Sequence, residues 1–173
     1  MNQASHFQNR GDGGTADLDT TADILRHLIE ICKDGEHGFK TAGDDAKDAD
    51  LKSTLLAYSQ QRIGFIRELE ARLLALGCDA SEHGSLSGSL HRGWINLRAA
   101  VTSHEQHAVL AECERGEDSA VAAYREALEK LEDTASRELV SRQFASVYAT
   151  HNEVRNLRNA FAATAKKKFL PTG

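Results

Sequence analysis

The 173-residue sequence predicts an all-α domain, a bundle of four long helices arranged as two antiparallel hairpins. The only proline, Pro171, lies beside the carboxyl terminus, so almost the whole chain is free of this helix breaker. Aromatic residues make up only 6% of the chain, fewer than a β-sandwich or barrel of this length needs. In four long segments, apolar residues recur at the three-, four- and seven-residue spacings of a helix face.

The first hairpin is predicted from its apolar stripes and from the residues that interrupt them. Leu25, Ile29, Cys32 and Phe39 lie on one face of a helix over about 20–43. A short run rich in capping residues follows, and a second amphipathic pattern covers about 50–76. Gly77 is suited to the position just after the end of that helix.

The second hairpin is predicted from a candidate N-cap, a short turn and an apolar stripe. Ser103 is a candidate N-cap for a third helix over about 103–131. A turn of two to four residues leads into a fourth helix over about 136–166, in which Val140, Phe144, Val147 and Val154 face inward. Short turns of this kind make consecutive helices antiparallel neighbours.

The connection between the hairpins is longer than 25 residues and indicates the topology. It begins with a stretch rich in Ser and Gly, and then Leu86, Leu90, Trp94 and Val101 suggest a short amphipathic helix. One long crossover between two helical hairpins is the ferritin-like arrangement. We expect Trp94 and His91 to cover one side or end of the bundle. The predicted domain comprises residues 18–168, with a disordered tail at 1–17 and a short tail at 169–173.

Charge and composition exclude several classes of partner. The net charge is -5, which disfavours nonspecific binding to nucleic acid or to anionic membranes. No apolar stretch approaches the length of a membrane span, and the amino terminus lacks the apolar core of a secretory signal. The three cysteines include no CxxC pair, which favours a reducing cytoplasm. A homo-oligomer is compatible with these features, and no protein partner is indicated.

Polar residues interrupt the predicted apolar faces at mid-helix. A C-x-x-G-E pattern at 32–36 recurs 81 residues later at 113–117 and places Glu36 and Glu117 on inward stripes. Arg62 and His151 occupy the inward stripes of the second and fourth helices, and Tyr148 precedes His151 by one turn. The sequence therefore predicts one buried polar layer. A glycine before each Glu indicates close approach of another group at that level.

Two hypotheses account for this layer. In the preferred one, Arg62 bridges Glu36 and Glu117 in a buried ion cluster, which Tyr148 and His151 complete. In the other, Glu36, Glu117 and His151 bind iron or another divalent metal. Di-iron bundles add a Glu-x-x-His motif on each of two helices, and this sequence has neither motif. No catalytic residue is predicted.

The motifs at 28–39, 88–94 and 112–118 resemble the bacterial domain-of-unknown-function family 2383, over about residues 20–160. Its members are described as ferritin-like four-helix-bundle proteins, mostly from proteobacteria. The resemblance implies that fold and no particular activity, although the superfamily suggests iron or dioxygen chemistry. We therefore expect a non-enzymatic bundle with a partner-binding or stress-related role, and the alternative is a divergent iron-binding carboxylate bundle of storage or oxidase type.

Overall fold

The computed structural model describes residues 12–79, 94, 96–103 and 105–168. Within these ranges the chain forms five helices and no strand, which confirms the all-α prediction for the part described. The helices are α1 (Asp12–Asp45), α2 (Ala49–Ala75), α3 (Leu97–Ser103), α4 (Gln106–Lys130) and α5 (Thr134–Lys168).

Helix α1 begins earlier than the sequence analysis predicted. Residues 12–17 were expected in the amino-terminal tail, but they form the first turns of α1. The remaining predicted tail residues, 1–11 and 169–173, lie outside the described residues.

A capping side chain and a glycine mark two of the helix ends. Asp48 caps α2, because its side chain accepts a hydrogen bond of 2.8 Å from the backbone N–H of Leu51. Gly77 has a φ of 76°, the left-handed conformation expected of a glycine after a helix end. The predicted N-cap at Ser103 is wrong, since Ser103 is the last residue of α3 and α4 starts after Glu105. Val101 of the predicted crossover helix lies in α3, whereas Leu86 and Leu90 lie outside the described residues.

The helices form the ferritin-like arrangement of neighbours. Helix α1 packs against α2 and α4, and α5 packs against α4 and α2. The residues at the start of α2 share a core cluster with the start of α4, and the end of α2 shares another with the end of α4. Helices α2 and α4 therefore run in the same direction, so the chain between them must return along the length of the bundle.

Two apolar clusters form the core, one towards each end of the bundle. The first includes Leu25, Leu69 and Tyr124. The second includes Phe39 and Leu110, and Trp94 of the crossover packs against it. The buried side chains of Arg62 and Glu117 lie between residues of the two clusters along α2 and α4.

Trp94 joins the crossover to the bundle through two glycines. A Cβ atom on Gly38 of α1 or on Gly116 of α4 would lie 2.2 Å from the indole ring. The ring also meets Phe39 edge-on, with the ring centroids 5.4 Å apart. The expectation that Trp94 covers one side of the bundle is confirmed, and His91 lies outside the described residues.

Substitution of Gly116 by alanine tests this contact. The added methyl group must displace the indole, so we expect the free energy of unfolding to fall by about 1–3 kcal/mol, as overpacked cores do. Because Trp94 is the only tryptophan, its emission should shift to longer wavelength as the ring becomes more exposed.

Gly64→Ala is the matched control, because Gly64 lies within α2 and a Cβ placed there would meet nothing within 4 Å apart from its chain neighbours and the backbone of its own helix. The same substitution should raise stability at this position by up to about 1 kcal/mol through helix propensity. An unchanged tryptophan emission in Gly116→Ala would contradict the close packing of Trp94 on this glycine.

Candidate functional site

A buried ion pair lies at the centre of the bundle. The Nη2 group of Arg62 donates hydrogen bonds to both carboxylate oxygens of Glu117, over 2.7 Å and 2.6 Å. Each side chain is only 1% exposed. Arg62 is on α2 and Glu117 is on α4, so the pair crosses the bundle between two helices that are not neighbours.

The Arg62 side chain is held along its whole length. Its aliphatic part passes over Gly35, where a Cβ would lie 3.4 Å from the Cγ and Nε atoms. The guanidinium group lies 5.8 Å from the Phe39 ring centroid and 5.5 Å from that of Phe65, within the range of cation–π attraction. Its Nη1 group donates to the side-chain oxygen of Gln61 over 3.1 Å.

Burial and charge act in opposite directions on the pair. Burial disfavours the charged guanidinium, but Glu117, together with Cys32 and Tyr124, acts in the opposite direction, and the pKa of Arg62 is raised overall. Burial also raises the pKa of the Glu117 carboxyl, while Arg62 and, more weakly, His151 act to lower it. The charged form of Glu117 therefore depends on Arg62.

His151 extends the polar region towards the surface. It is 5% exposed, and its Nε2 atom lies 2.8 Å from a carboxylate oxygen of Asp118. Its Nδ1 atom is buried and has no hydrogen-bond partner within the described structure. On the same side of α5, the Thr150 hydroxyl donates to Gln61 over 3.3 Å. Asp118 was not predicted, because an aspartate beside Glu117 carries no periodic signal.

Two residues of the predicted layer lie elsewhere. Glu36 is half-buried and adjoins Lys40 on α1, because Gly35 occupies the inward position that faces Arg62. Tyr148 is 48% exposed, since the inward stripe of α5 passes through Val147 and His151. Its ring stacks on His151 from outside, with the centroids 6.1 Å apart.

A second buried network adjoins the ion pair. The Cys32 thiol lies 3.2 Å from the Tyr124 hydroxyl, which donates to the Gln143 side-chain oxygen over 2.8 Å. The Gln143 amide nitrogen donates to Glu68 over 2.8 Å and to the Phe65 backbone carbonyl over 3.3 Å. Gln143 was not predicted, although it stands three residues after Val140 on the inward stripe.

Burial disfavours the reactive thiolate form of Cys32 and Cys113. Burial raises the pKa of the Cys32 thiol to about 11, even though Arg62 acts to lower it. Burial also raises the pKa of Cys113 strongly. Cys78 is half-buried, and all three cysteines are free.

Comparison with known proteins identifies the family. Residues 20–130 match the family described as Domain of unknown function (DUF2383), which is more than half of the chain. The chain belongs to the DUF2383 family. Arg62, Glu117, Trp94 and its two glycines all lie inside the matched region, whereas His151 lies beyond it. No curated protein is significantly similar to this DUF2383 sequence.

A solved structure shows the fold. The DUF2383 chain resembles a mutant of Dps1 from Mycobacterium smegmatis, with a TM-score of 0.57 and 16% sequence identity. The similarity covers 86% of this chain and 97% of that chain. The predicted ferritin-like fold is thereby confirmed. In the helices that the structure describes, no segment is long and apolar enough to cross a lipid bilayer.

The predicted ligands do not fit the metal centre that a ferritin-like fold suggests. Both oxygens of Glu117 accept bonds from Arg62, Glu36 lies outside the layer, and His151 is bonded to Asp118. Among the residues described, no three His, Cys, Asp or Glu side chains are grouped so that they could hold one ion. A guanidinium at this position would also repel a divalent cation.

Arg62→Leu tests the dependence of Glu117 on its partner. An unpaired buried carboxylate is costly, so the free energy of unfolding at neutral pH should fall by about 3–5 kcal/mol. Loss of Arg62 raises the folded-state pKa of Glu117 further above its ordinary value of 4.5. Above that ordinary value, stability should decrease by about 1.4 kcal/mol per pH unit until the folded-state pKa is reached.

Chemical denaturation of Arg62→Leu between pH 4 and pH 8 measures this slope. The double variant Arg62→Leu/Glu117→Leu is the control, because it removes both charges and should lack the additional pH dependence. Equal pH profiles for the single and double variants would contradict the assignment of Glu117 as the buried group that Arg62 keeps charged.

Thiol modification tests the cysteine environments. In the native protein we expect one thiol, Cys78, to react with Ellman's reagent well before the other two. In denaturant all three should react at similar rates. A Cys78→Ser variant that retains one rapidly reacting thiol in its native state would show that Cys32 or Cys113 is accessible.

Proposed function

We propose that this chain is a non-enzymatic helical bundle that acts through its surface, by self-association or by binding a protein partner. The observation that supports this proposal is the Arg62–Glu117 pair, in which the guanidinium donates to both carboxylate oxygens at the centre of the bundle. We also propose that it works in the bacterial cytoplasm, as its composition and family resemblance suggest, and that it has a stress-related role.

The chemistry of the central layer supports a structural role. Carboxylate-bundle metal centres need several ligands that converge on one point and leave a position open for a substrate. Here both oxygens of the Glu117 carboxylate accept hydrogen bonds from Arg62, and two phenylalanine rings flank the guanidinium group. Such a layer fixes which residues of α2 and α4 stand opposite each other, which is the best-attested use of buried polar contacts.

The metal hypothesis makes a different prediction and can be tested directly. The full-length protein, purified without chelator, is analysed for bound metals and is then mixed with Fe(II) in air. We expect no metal above the level of the Glu117→Gln variant and no acceleration of Fe(II) oxidation over buffer.

The Arg62→Leu variant distinguishes the metal hypothesis from the ion-pair hypothesis. If the central layer were a metal site, removal of the guanidinium would leave Glu117 free and would increase metal uptake. If the layer is an ion pair, the variant loses stability and gains no metal. One or two ions per wild-type chain, lost in a Glu36→Gln/Glu117→Gln variant that still folds, would overturn the proposal.

A further inference from the structure

The seam between α2 and α5 joins the two hairpins through polar side chains. At one end, Arg72 of α2 donates to Ser136 over 2.9 Å and to Asp133, the residue before α5, over 2.7 Å. Two turns further along α5, Gln143 donates to Glu68 of α2 over 2.8 Å. Polar contacts therefore recur along both helices.

The same pattern continues through the middle of the seam. The Thr150 hydroxyl donates to the side-chain oxygen of Gln61 over 3.3 Å, and Glu153 adjoins the hydroxyl of Tyr58. The polar side chains of α2 are spaced by three, seven and four residues, so they lie along one side of that helix. We give the name polar ladder to the contacts that residues 133–153 make with four side chains of α2: Tyr58, Gln61, Glu68 and Arg72.

The opposite side of the bundle, between α1 and α4, is packed differently. Ile29 and Cys32 of α1 share an apolar cluster with Ala120 and Ala123 of α4, small residues that let two helices approach closely. Trp94 of the crossover lies against a glycine of each helix, and α3 packs on both. The crossover therefore reinforces the α1–α4 side.

Water can replace the contacts of the polar ladder at a small net cost. Hydrogen bonds to water substitute for those between side chains, and ion pairs near the surface contribute little to stability. The Glu68 side chain is 46% exposed, and those of Arg72 and Asp133 are 21% and 31% exposed. Solvent therefore already reaches the ladder in the closed bundle.

The central ion pair adds little resistance to separation of this seam. Gln61 accepts hydrogen bonds from both Thr150 and Arg62, so it connects the ladder to the Arg62–Glu117 pair. Loss of one partner is costly because the other charge stays buried. A motion that exposes both charges together instead restores the hydration that burial removed from each of them.

We propose that the two hairpins separate reversibly along the polar ladder, with the α1–α4 contact as the hinge. The open state admits water to Arg62 and Glu117, and it uncovers the buried thiols of Cys32 on α1 and Cys113 on α4. Partial openings of this kind begin at the least apolar contacts of a fold. The proposal goes beyond the proposed function and does not depend on it, because it concerns motion within one chain.

Thiol labelling of the full-length Cys78→Ser/Cys113→Ala variant measures the opening, since Cys32 is then the only thiol. We expect Ellman's reagent to label Cys32 at a rate that is almost independent of urea at low concentrations. The reason is that opening exposes much less surface than unfolding does. At higher urea concentrations the rate should rise steeply as global unfolding takes over.

Arg72→Met in the same background tests where the opening occurs. It removes the contacts with Asp133 and Ser136 and should increase the low-urea labelling rate about fivefold, the upper range for an ion pair near the surface. Arg115→Met is the matched control, because Arg115 pairs with Glu112 within α4 and should leave that rate unchanged. Circular dichroism checks that both variants remain folded.

Two results would overturn the proposal. A labelling rate that follows the free energy of global unfolding at every urea concentration would show that the native bundle does not open. Equal low-urea rates in Arg72→Met and Arg115→Met, whether raised or not, would show that the polar ladder does not control the opening.

Discussion

The Arg62–Glu117 pair is the constraint on which the rest of the bundle depends. Two charges with almost no exposure to water must remain paired, because either one alone would be costly to bury. The pair joins α2 to α4 across the diagonal of the bundle, where the backbones are too far apart to pack directly. Together with the packing of α1 on α4 and of α2 on α5, it fixes the relative position of the two hairpins.

The surrounding residues fit this constraint. Gly35 leaves room for the aliphatic part of Arg62, and phenylalanine rings cover the guanidinium group. The polar layer divides the core into two apolar clusters, so each end of the bundle is packed by its own set of residues. At the second cluster, Trp94 lies against Gly38 and Gly116, and this contact ties the crossover to both hairpins.

Periodicity predicted the fold well, because four long amphipathic segments and one long connection leave few alternatives. It also placed Arg62 and Glu117 on inward stripes, where the structure has them. Glu36 was assigned to the inward stripe although the neighbouring Gly35 is the buried position, because residues at both edges of an apolar stripe fit the helical period. Tyr148 was added to the layer because it precedes His151 by one turn, and at that spacing it lies on the exposed side of the imidazole ring. Asp118 could not be found, since its contact with His151 depends on how α4 and α5 pack.

The ferritin-like fold and a metal centre are separable in physical terms. A carboxylate at the centre of a helical bundle requires a compensating positive charge, which a cation can supply from solution or a guanidinium can supply from the chain itself. The guanidinium needs one long side chain and a glycine that leaves it room, and both are present in Arg62 and Gly35. A metal ion needs several protein ligands that converge on one point, and a catalytic site keeps a coordination position open for water or substrate. A chain that supplies its own cation keeps the architecture and closes the centre.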